Sequence, residues 1–325
     1  MKTQQHILVI KHGALGDMIN SLGAFKVIRK HHRNDHITLL TDPAYVKFVS
    51  KTPYFDEIIT DRRDRLYLDF FKHRKVLKTF QRIYDLQTSR RSSLYFKLLG
   101  PGQKPEWSGI AEGCKFRQTR SDRDFIHAFL RFADQLKIAG LKIKGEEDLY
   151  PDLSWLKLDV GHFNIPEKSV LLIPGSSKGG ASKRWPALKY ADLSNRLIAK
   201  GWNPVLIAGP DDQEVASVIR EKSPQILDLS LKTNFFEIIG IARKAVAIVG
   251  NDTGPTHLSA YTKSKTLILW SSFSDPNVFA PRGPNVHVLH YPNLEELSVE
   301  KVFDYLIKVI LKSSEAIKKV KRGCL

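Results

Sequence analysis

Short runs of four or five apolar residues recur along this chain, alternating with longer stretches in which apolar positions return every three or four residues. In the first half the runs fall at 7–10, 37–40, 57–60 and 83–86 and read as strands, with helical spacing near 19–31 and 70–80. Alternation of this kind implies parallel βαβ units. Ser121-Asp-Arg-Asp124 is expected to open a long amphipathic helix, Ser121 as N-cap and Asp124 at N3, that turns Phe125, Phe129, Phe132 and Leu136 into the core. From about 140 to 168 the periodicity fades and Gly145, Pro151, Gly161 and Pro166 punctuate the chain, the pattern of an interdomain linker. A second alternating series follows, with strands at 170–173, 205–208, 226–229, 246–249 and 266–270 and helices near 186–200, 212–222, 235–242 and 255–261. Residues 294–321 read as a last helix running into a basic tail. The expectation is an α/β chain of two parallel-sheet domains, whose ligands bind at strand C-termini facing a cleft.

Two strand-to-helix turns stand out in this frame. Gly13-Ala-Leu-Gly16-Asp17 follows the first strand, and Asn251-Asp252-Thr253-Gly254-Pro-Thr-His257 follows the strand at 246–249. The first N–H groups of a helix lack internal partners and carry the positive end of its dipole, so such turns bind anions. A carboxylate there, Asp17, can serve as a general base toward an attacking hydroxyl. The loop from Ile173 to Pro186 adds glycines, the hydroxyls of Ser176 and Ser177, and the cations Lys183 and Arg184, the groups a diphosphate needs. Its spacing is not that of a Walker loop. Asp211, in Ala208-Gly-Pro-Asp-Asp212, can accept from ribose hydroxyls or cap a helix.

Other readings of the same residues fall away. Asp252-Thr-Gly254 spells an aspartic-protease triplet, but a second copy is missing and the flanking pattern is not all-β. His257 has no other His, Asp or Glu at metal-ligand spacing, so a hydrogen bond to phosphate or backbone is expected and no metal. Asp122-Arg-Asp124 has the form of a metal-holding Asp-x-Asp, yet helix capping accounts for it. Gly13-x-x-Gly16 is not the Gly-x-Gly-x-x-Gly of a dehydrogenase.

Composition narrows the partners. The 325 residues carry 51 Lys and Arg against 34 Asp and Glu, a net charge of +17. Between Arg62 and Lys97 eleven basic residues face three acidic ones, a candidate footprint for a polyanion or an anionic lipid surface. No aromatic RNA platform or helix-turn-helix accompanies the charge, so nucleic acid is not expected as partner. The two cysteines, Cys114 and Cys324, indicate neither a disulfide framework nor a metal site. Without a membrane-length apolar run or a signal-peptide core, a cytoplasmic location is expected.

As an ordered set, Lys11-His-Gly-Ala-Leu-Gly-Asp17, Tyr84-Asp-Leu-Gln87, Pro174-Gly-Ser-Ser177, Lys183-Arg-Trp-Pro186, Ala208-Gly-Pro-Asp211 and Gly250-Asn-Asp-Thr-Gly-Pro-Thr-His-Leu258 resemble glycosyltransferase family 9, the lipopolysaccharide heptosyltransferases. The resemblance implies a GT-B fold of two Rossmann-like domains: 1–160 for the acceptor, 161–300 for the nucleotide sugar, and 301–325 as a C-terminal helix and tail crossing back. It further implies an inverting transfer of heptose from ADP-heptose to a hydroxyl of the lipopolysaccharide core, without cofactor or metal, at the inner face of the inner membrane. Carried over residue by residue, Asp17 is the catalytic base. Lys183, Ser176, Ser177, Asp252, Thr253, Gly254 and His257 hold the donor diphosphate, and Asp211 the ribose. Gly13, Gly16, Gln87 and Arg91 contact the acceptor. Lys178 lies in the same loop as Lys183, which leaves open which of the two reaches phosphate.

Overall fold

The computed structural model describes residues 3–63, 68–100, 102, 104–176 and 180–311. It divides into two compact units, Met1–Leu156 and Lys157–Leu325. In the first, β1 (His6–Ile10), β2 (His36–Thr41), β3 (Glu57–Thr60), β4 (Arg82–Asp85), β5 (Glu106–Gly109) and β6 (Phe116–Arg117) form one parallel sheet in the order β3-β2-β1-β4-β5-β6. The helices are α1 (Leu15–His31), the one-turn α2 (Val46–Val49), α3 (Leu68–Leu77), α4 (Arg90–Leu98) and α5 (Ala128–Ile138). Leu8, Ile10, Ile83, Trp107, Tyr95 and Phe96 build one core cluster of this unit.

The second unit repeats the wiring. Strands β7 (Ser169–Ile173), β8 (Asn203–Leu206), β9 (Leu227–Asp228), β10 (Ala247–Asn251), β11 (Lys265–Trp270) and β12 (Val286–His290) run β12-β11-β10-β7-β8-β9. Counted from each unit's first strand, both sheets read 3-2-1-4-5-6, the order of a dinucleotide-binding sheet, with a switch point between first and fourth strands. Side chains alternate across the sheet as the two-residue period requires: Val170 and Leu172 enter one cluster, Leu171 and Ile173 the other. Around this sheet lie α6 (Ala187–Ala199), α7 (Gln213–Lys222), α8 (Phe235–Lys244), α9 (Gly254–Ala260), α10 (Pro276–Phe279) and α11 (Val299–Tyr305).

Several expectations change. The helix foreseen from Ser121 is broken: a 3-10 turn at Arg123–Phe125 comes first, and α5 starts only at Ala128, where the His127 ring accepts from Phe129 N at 3.1 Å. Ser121 and Asp124 are therefore not its cap, and Phe125 is 79% exposed while Phe129, Phe132 and Leu136 are core. The supposed linker is largely packed structure, with Leu149 and Leu153 buried in the first unit. The last helix begins at Val299, capped by Ser298, and Leu294 and Leu297 join the core as loop residues. α11 packs within the second unit; the basic tail and Cys324 fall outside the described residues.

Gly23 shows how tightly the supposed linker is held. A Cβ at this position in α1 would lie 1.8 Å from the Leu149 carbonyl oxygen, so helix and loop touch backbone to backbone. Gly23→Ala should cost about 1–3 kcal/mol by overpacking. An unchanged denaturant midpoint would show that the Leu149 segment yields freely.

Candidate active site

The chemistry suggested by the sequence gathers into one cluster in each unit. In the first unit the turn after β1 delivers Asp17 at the third position of α1. Its carboxylate is exposed and accepts from Ala14 N at 3.3 Å, satisfying one of the unpaired N–H groups at the helix start. Gly13 sits at φ +128, and a Cβ there would meet the Tyr45 ring at 2.1 Å, so only glycine suits this turn. Gly16 lies in the first turn of α1.

Lys11, which nothing in the sequence singles out within its motif, is the unforeseen member of this cluster. The residue is 6% exposed, and its ammonium lies 5.9 Å over the Phe132 ring without a hydrogen bond or ion pair among the described residues. Burial pushes its pKa down, opposed by the Asp17 charge and reinforced by Arg131 and Arg123. Arg131 is likewise shifted down by burial, then by Arg123, with Asp17 acting against both. Arg123 is held by Gln118 Oε1 at 2.9 Å and by Thr88 Oγ1. An exposed carboxylate thus stands among three cations.

Gln87 and Arg91 are drawn into the fold itself. Gln87 Oε1 accepts from His12 N at 3.0 Å. Arg91 Nε donates to Tyr95 Oη at 2.6 Å, and its Nη2 lies 3.4 Å from Asp61 Oδ1. Asp61 also receives the Tyr95 hydroxyl and faces His12 Nε2 at 3.4 Å. Burial would raise its pKa, but the bonds from His12, Tyr95 and Arg63 N hold it well below the usual carboxylate range. The basic block is similarly mixed. Arg63 pairs with Asp42, Arg82 with Glu106, and Arg74 donates to Leu99 O, while Lys75 and Lys78 stay exposed beside exposed Leu68 and Val76.

In the second unit the turns after β7 and β10 meet at the switch point. Asn251, buried at the end of β10, donates to Pro174 O at 2.7 Å and accepts from Tyr190 Oη at 2.9 Å and Trp185 N at 3.2 Å. Asp252 then projects to Lys183 Nζ at 2.5 Å through Oδ2 and to His257 Nε2 at 2.8 Å through Oδ1. Ser274 Oγ adds a bond at 3.3 Å. Burial works to raise the Asp252 pKa, yet His257 and Lys183 bring it below the ordinary value. His257 packs against Trp270, and its Nδ1 is buried without a hydrogen-bond partner among the described residues. Thr253 is the N-cap of α9 and Gly254 its first residue, with His257 N donating to Thr253 O at 2.9 Å. The N–H groups that precede that bond have no partner inside the helix.

Ser176 is turned inward: its hydroxyl donates to Gly180 O at 2.9 Å and accepts from Arg184 Nε at 2.8 Å. Ser177 and Lys178 lie outside the described residues. Asp211 is exposed on the 3-10 turn after β8. Its neighbour Asp212 ties the loop instead, accepting from Ser176 N and from Arg184 Nη2, each at 3.1 Å. Among the described residues no group of three or more His, Cys, Asp or Glu could hold a metal ion.

Two parallel sheets of dinucleotide-binding order, each with a glycine-containing turn at its switch point, define a chain of two Rossmann-like units, and comparison with known proteins gives its class. Residues 70–306 match the model of glycosyltransferase family 9 (heptosyltransferase). The chain belongs to this family and is a glycosyltransferase. Lipopolysaccharide heptosyltransferase 2 of Escherichia coli K12 is 24% identical over 310 residues, covering 87% of each chain. A putative glycosyltransferase of Haemophilus influenzae is 23% identical, covering 91% of this chain and 94% of its own. Among solved structures, E. coli ADP-heptose lps heptosyltransferase II superposes with TM-score 0.72 at 21% identity, over 95% of this chain and 99% of that one. The family 9 enzyme of Veillonella parvula gives 0.75 at 20%, over 96% and 99%. These likenesses show the GT-B fold.

Asp85, in the Tyr84-Asp-Leu-Gln87 motif, gives a pH test of the first unit. Its side chain is fully buried, and burial raises its pKa to about 6 against the hydrogen bond from Thr88 N. An acid whose folded pKa exceeds its unfolded value contributes stability below the unfolded pKa and loses it as pH rises through the folded one. Asp85→Asn should therefore be less stable relative to wild type at pH 4 than at pH 7. A gap that does not move with pH between 4 and 7 would overturn this.

Proposed function

We infer that this protein transfers a heptose from ADP-heptose to a hydroxyl of the lipopolysaccharide inner core, with inversion at the anomeric carbon. The observation that carries the reading is that a family 9 chain holds an exposed carboxylate at a helix start in one unit and a lysine–aspartate–histidine set beside a helix start in the other. Similarity to the E. coli enzyme named for ADP-heptose supports the choice of donor.

In this reading Asp17 takes the proton of the acceptor hydroxyl as its oxygen attacks the anomeric carbon. The bond to the diphosphate breaks in the same step, and the electron pair leaves with the phosphate oxygen. Lys183 and the N–H groups around Thr253, Gly254 and Thr256 meet the charge that grows there, an electrostatic site already in place before reaction. Asp252 is a carboxylate and repels phosphate; its part is to hold Lys183 and His257 toward the donor. Ser176 shapes the loop through Gly180 and Arg184, and Asp211 is placed for the ribose hydroxyls. No step uses a metal.

The acceptor side follows from charge. Buried Lys11 and half-buried Arg131 have no carboxylate within ion-pair distance among the described residues and feel Asp17 only from further away, and cations so placed favour an anionic ligand. A core oligosaccharide bearing acidic groups and phosphates supplies it. Gly13 and Gly16 let such a ligand approach the turn, while Gln87 and Arg91 support the floor beneath it. No helix among the described residues is long and apolar enough to cross a membrane. The exposed Leu68 and Val76 beside Lys75 and Lys78 suit contact with an anionic lipid face, so we place the enzyme as a peripheral protein at the inner membrane.

Asp17→Asn should lower turnover by about 100-fold or more, the usual scale of a lost general base, with ADP affinity kept within twofold. Wild-type turnover in that variant would refute the assignment. Binding to vesicles rich in anionic lipid should weaken as salt rises from 50 to 500 mM, about the range over which the screening length falls severalfold. Salt-independent binding would remove the electrostatic role of the basic block.

A further inference from the structure

The loop after β11 presents an aromatic ring to solvent where the fold has no need of one. Phe273 is 59% exposed, on a loop that is itself fixed: Trp270 Nε1 donates to Ser274 O at 2.7 Å, and Ser274 Oγ reaches Asp252 at 3.3 Å. The ring faces the Lys183 ammonium, whose nitrogen lies 5.0 Å from the ring centroid. Lys183 is thus held between a carboxylate and a phenyl face.

The two contacts differ in kind. The 2.5 Å bond to Asp252 is directional and ties up one N–H of the ammonium. A ring face attracts the cation through its quadrupole and leaves the ammonium free to turn. An anionic ligand that takes Lys183 from Asp252 must break the first contact, but need not break the second. Removing the ring at 273 would take away the cation–π contact and leave the ammonium its bond to the Asp252 carboxylate.

We propose that Phe273 is a positioning residue for the donor site: its ring keeps the Lys183 ammonium in place while the ammonium exchanges the Asp252 carboxylate for the phosphates of a nucleoside diphosphate. This rests on the reading of Lys183 as the diphosphate ligand and adds a residue to it. A phenyl ring used in this way can be replaced by another aromatic ring and not by an aliphatic side chain of similar size. That distinction separates the role from simple apolar cover.

The test measures binding of ADP and of inorganic pyrophosphate by calorimetry to wild type, Phe273→Leu and Phe273→Tyr, each also in a Lys183→Met background. Phe273→Leu should weaken both ligands by roughly two- to fivefold, the worth of a partly exposed cation–π contact. Phe273→Tyr should restore wild-type affinity, and Phe273→Leu should have no further effect once Lys183 is Met. Wild-type affinity in Phe273→Leu, an undiminished loss in the Lys183→Met background, or a loss for ADP but not pyrophosphate would each overturn the proposal; the last would mean that the ring stacks on the nucleoside. The contact is also read without ligand, as an upfield ring-current shift of the Lys183 ε-methylene resonances that Phe273→Leu abolishes and Phe273→Tyr keeps. If that shift is present but neither ligand binds wild type, the diphosphate reading has failed and the proposal with it. If ADP binds and the shift is missing, only the role of Phe273 falls.

Discussion

The hydrogen bonds of the buried Asn251 carboxamide are what the turns of the second unit depend on. One side chain at the end of β10 donates to the carbonyl of Pro174 after β7 and accepts from Trp185 N and the Tyr190 hydroxyl. It thereby fixes the ends of two neighbouring strands to the entry of α6. Few other side chains could do this, because the place needs a donor and an acceptor on one planar group with no net charge. An aspartate would lack the donor, and a leucine would leave the Pro174 carbonyl and the Tyr190 hydroxyl buried and unpaired. With that strut in place, Lys183 and Asp252 reach each other although 69 residues separate them in sequence.

A second tie closes the same region from the other side. Asp212 accepts from Ser176 N and from Arg184, which also donates to the Ser176 hydroxyl. The Ser176 hydroxyl is thereby built into the shape of the loop. In the first unit the analogous work is done by Asp61, gathering Tyr95, Arg91 and His12 beneath the glycine turn. Both units thus stiffen a strand-to-helix turn with an acid, Asp61 or Asp212, and in both the exposed acid, Asp17 or Asp211, is a different residue.

Much of this was legible in the sequence, for physical reasons that can be named. Central strands such as β1, β7 and β10 are buried on both faces and read as unbroken apolar runs. The outer strands β5 and β6 of the first sheet and the edge strand β12 of the second carry little sequence signal. Glu-Trp-Ser-Gly has no alternation, Phe-Arg is two residues long, and Val286–His290 mixes two histidines into a half-buried edge. The start of α1 was set four residues late because the helix is buried almost all round from Met18 to Phe25 and so lacks a polar face. α4 was missed because Arg-Arg-Ser-Ser carries no apolar signal in its first turn. The site was readable where a glycine turn follows a strand. Lys11, Asp212 and Phe273 were not, since their roles come from burial, a loop tie and a ring contact across the fold.

The repeated 3-2-1-4-5-6 wiring has an evolutionary consequence. Each half buries its own apolar clusters, with residues 8–114 in one and 160–306 in the other. Substitutions in the loops of one half can therefore accumulate while the other keeps its own core. A lineage of glycosyltransferases can vary the loops around Asp17 while the turns around Asp252 stay as they are, or the reverse. Architecture of this sort makes new glycan structures accessible by small steps.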